Sequence, residues 1–230
     1  RGFFLRTTEA RPLVTLKLAQ SADGRIATAS GESRWITGAR ARHMVHASRA
    51  RHDAVMIGSG TAAADDPMLN VRGLGMVRQP VRIVLDTGLG TDPESRLGQS
   101  AGDQPLWLCH GPGADPARRD RWERAGAQLV TCAAGKDGRL DVGDTMRQLA
   151  RRGLTRIVCE GGGTLAAALL ARGLVDEMVT FSAGLVLGSA GKAAVGAMPA
   201  RALADHARFD LCEVRRIGPD AVTVWSRITV

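Results

Sequence analysis

An α/β fold with a mainly parallel sheet flanked by helices and a C-terminal antiparallel hairpin is the class this sequence predicts. Three observations carry it: short Val/Ile/Leu-rich runs recur along the chain, helical stretches with recognisable start signals alternate with them, and the last two runs are adjacent with a turn between. The runs are residues 13–19, 54–58, 81–85, 106–109, 127–132 and 156–159. Their near-continuous apolar character is that of strands covered on both faces. Thr37 is placed to cap a helix reaching Arg51, and Pro116 opens the next, to about Ala125, because its missing N–H has no partner to lose in a first turn. Asp141 starts a third helix to Arg152 and Thr164 a fourth to about Arg172. At the end, residues 209–217 and 221–228 read as strands joined at Gly218-Pro219-Asp220. The glycine-containing stretches 73–79 and 97–103 are expected to be exposed connections.

With 230 residues, 44% of them hydrophobic, the chain has material for one large domain or two small ones, and the unbroken alternation favours one. No apolar segment is long enough to span a bilayer, and Arg1-Gly-Phe-Phe-Leu-Arg6 lacks the features of a signal peptide, so a soluble, cytoplasmic protein is expected. Cys109, Cys132, Cys159 and Cys212 are widely separated and mostly sit in apolar runs, which implies neither a zinc site nor a disulfide framework. His43 and His46 lie three apart on a predicted helix without a third ligand, so no metal is expected. The net charge of +8 comes almost wholly from dispersed arginines, only Lys17, Lys136 and Lys192 being lysines, and no aromatic platform accompanies it. This argues against a nucleic-acid partner and favours small anionic ligands.

Three segments carry chemistry. Thr61-Ala-Ala-Ala-Asp-Asp-Pro-Met-Leu-Asn-Val-Arg72 reads as a loop-like stretch placing two carboxylates and an arginine at the exit of a core strand, where open α/β sheets bind ligands. The alternative is a solvated turn in which one aspartate caps a helix. Glu160-Gly-Gly-Gly-Thr164 joins a strand to a helix and suits an anion cradle, yet it matches neither the dinucleotide glycine fingerprint nor a P-loop. A tight ligand-free turn is its alternative. Lys17 sits within an apolar run, followed by Asp23-Gly24 and by Ser33 and Trp35, a hydroxyl and a flat aromatic wall suited to a heterocycle. Lys17 snorkelling from a strand and Trp35 in a core are the plainer readings.

Read in order, Lys17-Leu-Ala with Ser21-x-Asp-Gly-Arg-Ile-Ala27, Ser30-Gly-Glu-Ser-x-Trp-Ile-Thr37, Ala64-Asp-Asp-Pro-x-Leu-x-Val-Arg72 and Glu160-Gly-Gly-x-x-Leu-Ala166 resemble the reductase domain of the bacterial bifunctional riboflavin-biosynthesis protein RibD. The resemblance runs from about residue 2 to the C-terminus. It implies a single dihydrofolate-reductase-like domain over 12–230, NADPH as cofactor and usually a homodimer. Residues 1–11 resemble the connector that follows the deaminase domain in RibD, so the chain is expected to belong to a longer protein. The deaminase signature itself, H-x-E with P-C-x-x-C, is missing, so deamination is not expected of these residues. Carried over by position, substrate contacts fall on Ser33, Arg49, Leu69, Arg72 and Glu160. Cofactor contacts fall on Ala19, Trp35, Thr61, Asp65, Thr87 and the turn Gly162, Gly163, Thr164, Leu165, Ala166, Ala167 and Ala168. Lys17 and Asp65 are the candidates for charge near the reacting centre. The implied reaction is hydride transfer to a phosphorylated ribosylaminopyrimidine, 5-amino-6-(5-phosphoribosylamino)uracil; the alternatives are a same-fold reductase of another pterin or pyrimidine substrate and a non-catalytic nucleotide-binding module. Asp86, a strand-end acid of the kind that holds a ribose 2′-OH in NAD enzymes, argues against strict NADPH preference.

Overall fold

The alternation of apolar runs and capped segments produces the expected succession of strands and helices in the computed structural model, which describes residues 1–75 and 78–228. In chain order these are α1 (Gly2–Thr8), β1 (Leu13–Ser21), β2 (Arg25–Ala27), α2 (Ala39–Ala50), β3 (Ala54–Gly58), α3 (Ser59–Asp65), β4 (Val81–Leu85), α4 (Arg96–Gln99) and β5 (Leu106–His110). There follow α5 (Pro116–Arg124), β6 (Gln128–Thr131), α6 (Val142–Arg151), β7 (Arg156–Cys159), α7 (Gly163–Ala171), β8 (Glu177–Ala183), β9 (Lys192–Ala193), a short 3-10 turn (Leu203–Asp205), β10 (Phe209–Ile217) and β11 (Asp220–Arg227). The start signals act as capping chemistry requires. The side chain of Asp115 accepts from Ala117 N at 2.9 Å ahead of Pro116, and that of Asp141 accepts from Asp144 N at 2.7 Å.

These elements fall into two compact units, each made of two stretches of chain. The first comprises Arg1–Leu13 and Ser48–Val158. Its strands run in the order β7-β3-β4-β5-β6, with β3, β4, β5 and β6 paired in parallel. Val55, Ile57, Leu69, Val84, Leu108 and Trp122 are among the buried side chains of its core. Arg82 lies on β4 with no exposed surface; burial lowers its pKa to about 10, while its two Nη atoms donate to Ser100 Oγ, Ser100 O and Gln104 O. Residues 1–11, the expected connector, carry α1, and Arg6 Nε donates to Ala150 O at 2.9 Å.

The second unit comprises Val14–Ala47 and Cys159–Val230. Its strands run β10-β11-β8-β1, with β1 and β8 parallel and β8, β11 and β10 successively antiparallel. The predicted hairpin is present and one residue tighter than expected, because Asp220 already pairs with Ile217 and leaves Gly218 and Pro219 as the loop. Gly218 supplies the positive φ of 64° that the turn demands.

Several expectations are corrected. Thr61 to Asp65 is not loop but the body of α3, and the chain turns only at Asp66, whose φ of 40° and ψ of 59° form a left-handed cap. Residues 97–103 are not simply exposed: Leu97 and Ala101 are 3% and 5% exposed and belong to the first unit's core. Thr164 does not cap α7; that place is taken by Gly162. Strand β8, unread in the sequence, lies between β1 and β11.

Candidate active site

The first unit gathers Arg49, Leu69 and Arg72. Arg49 is in the last turn of α2, half-buried, and donates from Nη1 to Asn70 O at 2.9 Å. That bond brings its guanidinium to the segment carrying Leu69 and Arg72. Leu69 is 4% exposed, has φ of 52° and packs its side chain in the core. Arg72 is exposed. The residue before it is held by a side chain that carries no motif of its own: Val71 N donates to Gln79 Oε1 at 2.8 Å, and Gln79 Nε2 donates to Val71 O at 3.2 Å. An amide matching both main-chain groups of one residue fixes the direction in which the next side chain leaves.

The two adjacent aspartates divide their tasks. Asp66 is scaffold, since its Oδ1 accepts from Arg96 N at 2.9 Å at the start of α4. Asp65 closes α3 one residue earlier and is half-buried, as is Thr61 one turn before it. Thr87, also half-buried, follows the end of β4, and its carbonyl accepts from Gly111 N at 2.9 Å. Asp86 does not offer a ribose-binding acid: it is 5% exposed, and its Oδ2 accepts from both Thr91 N (2.7 Å) and Thr91 Oγ1 (2.8 Å). The acid closes its own loop.

In the second unit Lys17 and Ala19 are two apart on β1, hence on one face, and both are half-buried, on either side of the buried Leu18. Ser33 and Trp35 lie on the loop before α2. Trp35 is 69% exposed rather than core, with the Arg42 guanidinium 4.4 Å from its ring centroid, a cation–π pair that braces the indole from one side. Glu160 is half-buried directly after β7. The glycines that follow serve different needs. Gly162 has φ of 65° and heads α7 with no side-chain cap. Gly163 is bare because protein packs there: a Cβ would stand 2.6 Å from Ala193 O, and its carbonyl accepts from Gly196 N at 2.8 Å. Thr164 is exposed, Ala168 half-buried, and Leu165, Ala166 and Ala167 face the core.

Asp23, which the sequence places in a turn and in the Ser21-x-Asp-Gly-Arg motif, staples this unit. Ser21 Oγ donates to it at 2.6 Å, and Leu187 N and Gly188 N donate at 3.1 and 2.7 Å. These bonds lower its pKa to about 2. Cys159 is inert by contrast, burial pushing its thiol up to about 12.

Residues 12–223 match the family described as the RibD C-terminal domain. The chain belongs to the RibD C-terminal domain family. One family domain thus spans both units. RibD of Escherichia coli is 35% identical over 96% of this chain, which spans 61% of that protein. The 2,5-diamino-6-ribosylamino-4(3H)-pyrimidinone 5′-phosphate reductase of Methanothermobacter thermautotrophicus is 31% identical and matches over 94% of this chain and 98% of its own length. Among solved structures, RibD of Acinetobacter baumannii superposes with a TM-score of 0.84 at 30% identity, covering 99% of this chain and 61% of that one. The fold is that of the RibD reductases, α/β and mostly parallel with a small antiparallel hairpin. Among the described residues no helix is long and apolar enough to cross a membrane.

Proposed function

We propose that this RibD-family chain is the NADPH-dependent reductase of riboflavin biosynthesis, converting 5-amino-6-(5-phosphoribosylamino)uracil to 5-amino-6-(5-phosphoribitylamino)uracil. The observation that carries the reading is the Methanothermobacter thermautotrophicus match. A protein named as a reductase aligns with this chain over 98% of its own length, which supports a reductase reading of the shared region.

The chain's own groups fit the cofactor. At the head of α7 the main-chain N–H groups of a nine-residue helix have no side-chain cap, and half-buried Gly162 and Gly163 and exposed Thr164 leave that turn accessible. Such a helix terminus favours a dinucleotide's phosphates. NADPH, when bound, supplies the hydride that reduces C1′ of the substrate's opened ribosyl group. The protein's work is to bind, orient and neutralise. Arg49 and Arg72 hold the substrate phosphate by charge-assisted, forked hydrogen bonds. Glu160 accepts from the pyrimidine N–H groups or sugar hydroxyls, with Ser33 and the Leu69 main chain completing the contacts. Trp35, braced by Arg42, gives a planar ring a wall. Lys17 and Asp65 set the charge around the reacting carbon, and the acceleration comes largely from holding the reactants at attack distance.

The Methanothermobacter relative's name points to a second substrate, the pyrimidinone bearing an amino group at position 2 where the uracil has an oxygen. NADPH oxidation followed by absorbance with each compound decides between them. Turnover of the uracil supports the proposal, turnover of the diamino compound alone moves the substrate one chemical step, and oxidation with neither refutes it. A homodimer, a cytoplasmic setting and a deaminase domain in the parent protein belong to the same reading; the 61% coverage of the Escherichia coli relative is consistent with a longer parent.

A further inference from the structure

Parallel sheets bind ligands at the carboxyl ends of their strands, and at the end of β4 the chain runs Asp86-Thr87-Gly88-Leu89-Gly90-Thr91. An acid at such a place holds the ribose 2′-OH in NAD enzymes, whereas an arginine nearby accommodates the 2′-phosphate of NADP. Asp86 is withdrawn from the first role by its two hydrogen bonds from Thr91 and its burial. The charge that overlies the loop is positive. Arg118, exposed on α5, donates from Nη1 to Gly88 O at 3.1 Å, and the same nitrogen would lie 3.7 Å from a Cβ on Gly90. A guanidinium has five N–H donors. Among the described residues Arg118 makes that single hydrogen bond, which orients the fork and leaves its other donors for an anion.

The space beside it suits one. A cavity of about 250 Å³ is walled by the 89–93 loop and by Arg118, Arg121 and Trp122. Arg121 makes only a loose pair with Asp92 at 3.9 Å, so its field is not quenched by close contact. Trp122 is 1% exposed, and its indole N–H has no hydrogen-bond partner among the described residues, an unpaid polar group in the wall.

We propose that Arg118 selects NADPH over NADH by gripping the 2′-phosphate of the adenosine ribose at the mouth of this cavity. The inference deepens the NADPH reading above and rests on it. Its test uses cofactor fragments as well as turnover: 2′,5′-ADP and 5′-AMP, which differ only in the 2′-phosphate, are titrated calorimetrically into the parent protein, R118A and R118K. In R118A the Kd for 2′,5′-ADP rises about ten- to a hundredfold while that for 5′-AMP stays within about twofold, and R118K falls between, since lysine keeps the charge without the fork. In steady-state assays R118A raises KM for NADPH and leaves KM for NADH as in the parent. Parental 2′,5′-ADP binding by R118A overturns the assignment. So does equal weakening of both nucleotides, the mark of a loop anchor acting through Gly88. A parent that oxidises no NADPH with either pyrimidine refutes the proposed function instead, and the fragment titration still reads the role of Arg118.

Discussion

Replacing Arg72 with alanine tests the phosphate clamp, and the structure separates that test from folding. Arg72 is exposed, while the backbone carrying it is anchored next door, where Val71 is 6% exposed and held on both main-chain groups by Gln79. Removing the exposed side chain is therefore expected to change stability by no more than about 1 kcal/mol. A guanidinium–phosphate contact contributes about 1.5–3 kcal/mol. At about 1.4 kcal/mol per factor of ten, KM for the phosphorylated substrate rises by about one to two orders of magnitude. Because the phosphate is remote from C1′ and held alike before and during the reaction, kcat falls much less than KM rises. Steady-state NADPH oxidation over a range of substrate concentrations reads both constants, with NADPH Kd and the thermal midpoint as controls. R72K recovers part of the loss, as a point charge without the fork. A parental substrate KM in a variant of parental Tm refutes the clamp, and a matching loss of NADPH affinity moves Arg72 to the cofactor.

The other expectations concern the scaffold. Gly163→Ala drives a methyl to 2.6 Å from Ala193 O, backbone that has little freedom to yield, and costs about 1–3 kcal/mol in denaturant unfolding. Gly60→Ala is the control, with nothing within 4 Å of its Cβ inside α3, and it stabilises by about 0.4–1 kcal/mol; unchanged stability of Gly163→Ala would mean that the Ala193 O contact is not as described. The Asp23 carboxyl has its pKa lowered from 3.8 to about 2, so its bonds to the Leu187 and Gly188 amides are present above pH 3.8 and are lost as pH falls towards 2. Amide exchange at those two positions in Asp23→Asn at neutral pH should exceed that of the parent, and equal protection would dismiss the staple. Among the four cysteines Cys212 is exposed and the others are buried, so one thiol titrates rapidly with a disulfide reagent in the native protein and Cys212→Ser abolishes that phase.

What was legible in the sequence follows from how local each cause is. The strands β3, β5 and β7 stand out because burial on both faces leaves a run of apolar residues, β4 does so despite the buried Arg82 within it, and α5 and α6 because a capping aspartate sits one residue before the first turn. Strand β8 escaped because Glu177, Thr180 and Ser182 interrupt Met178, Val179 and Phe181 without clean alternation. Helix α3 was hidden by the turn chemistry of Asp65-Asp66-Pro67, although the three alanines before it are helix formers. The site was harder, since its side chains sit on connections whose partners are remote in sequence. Asp86 reads as a ribose-binding acid until Thr91, five residues on, is seen to occupy it. Asp23 is tied to Gly188 across 165 residues. Arg118 is one arginine among many until folding brings it to Gly88, 30 residues earlier. Composition reveals that the chain is rich in cations; only the pairing of strand ends with the next helix reveals which cation stands beside the loop whose acid is already occupied, and the proposed grip on a phosphorylated ribose rests on that pairing.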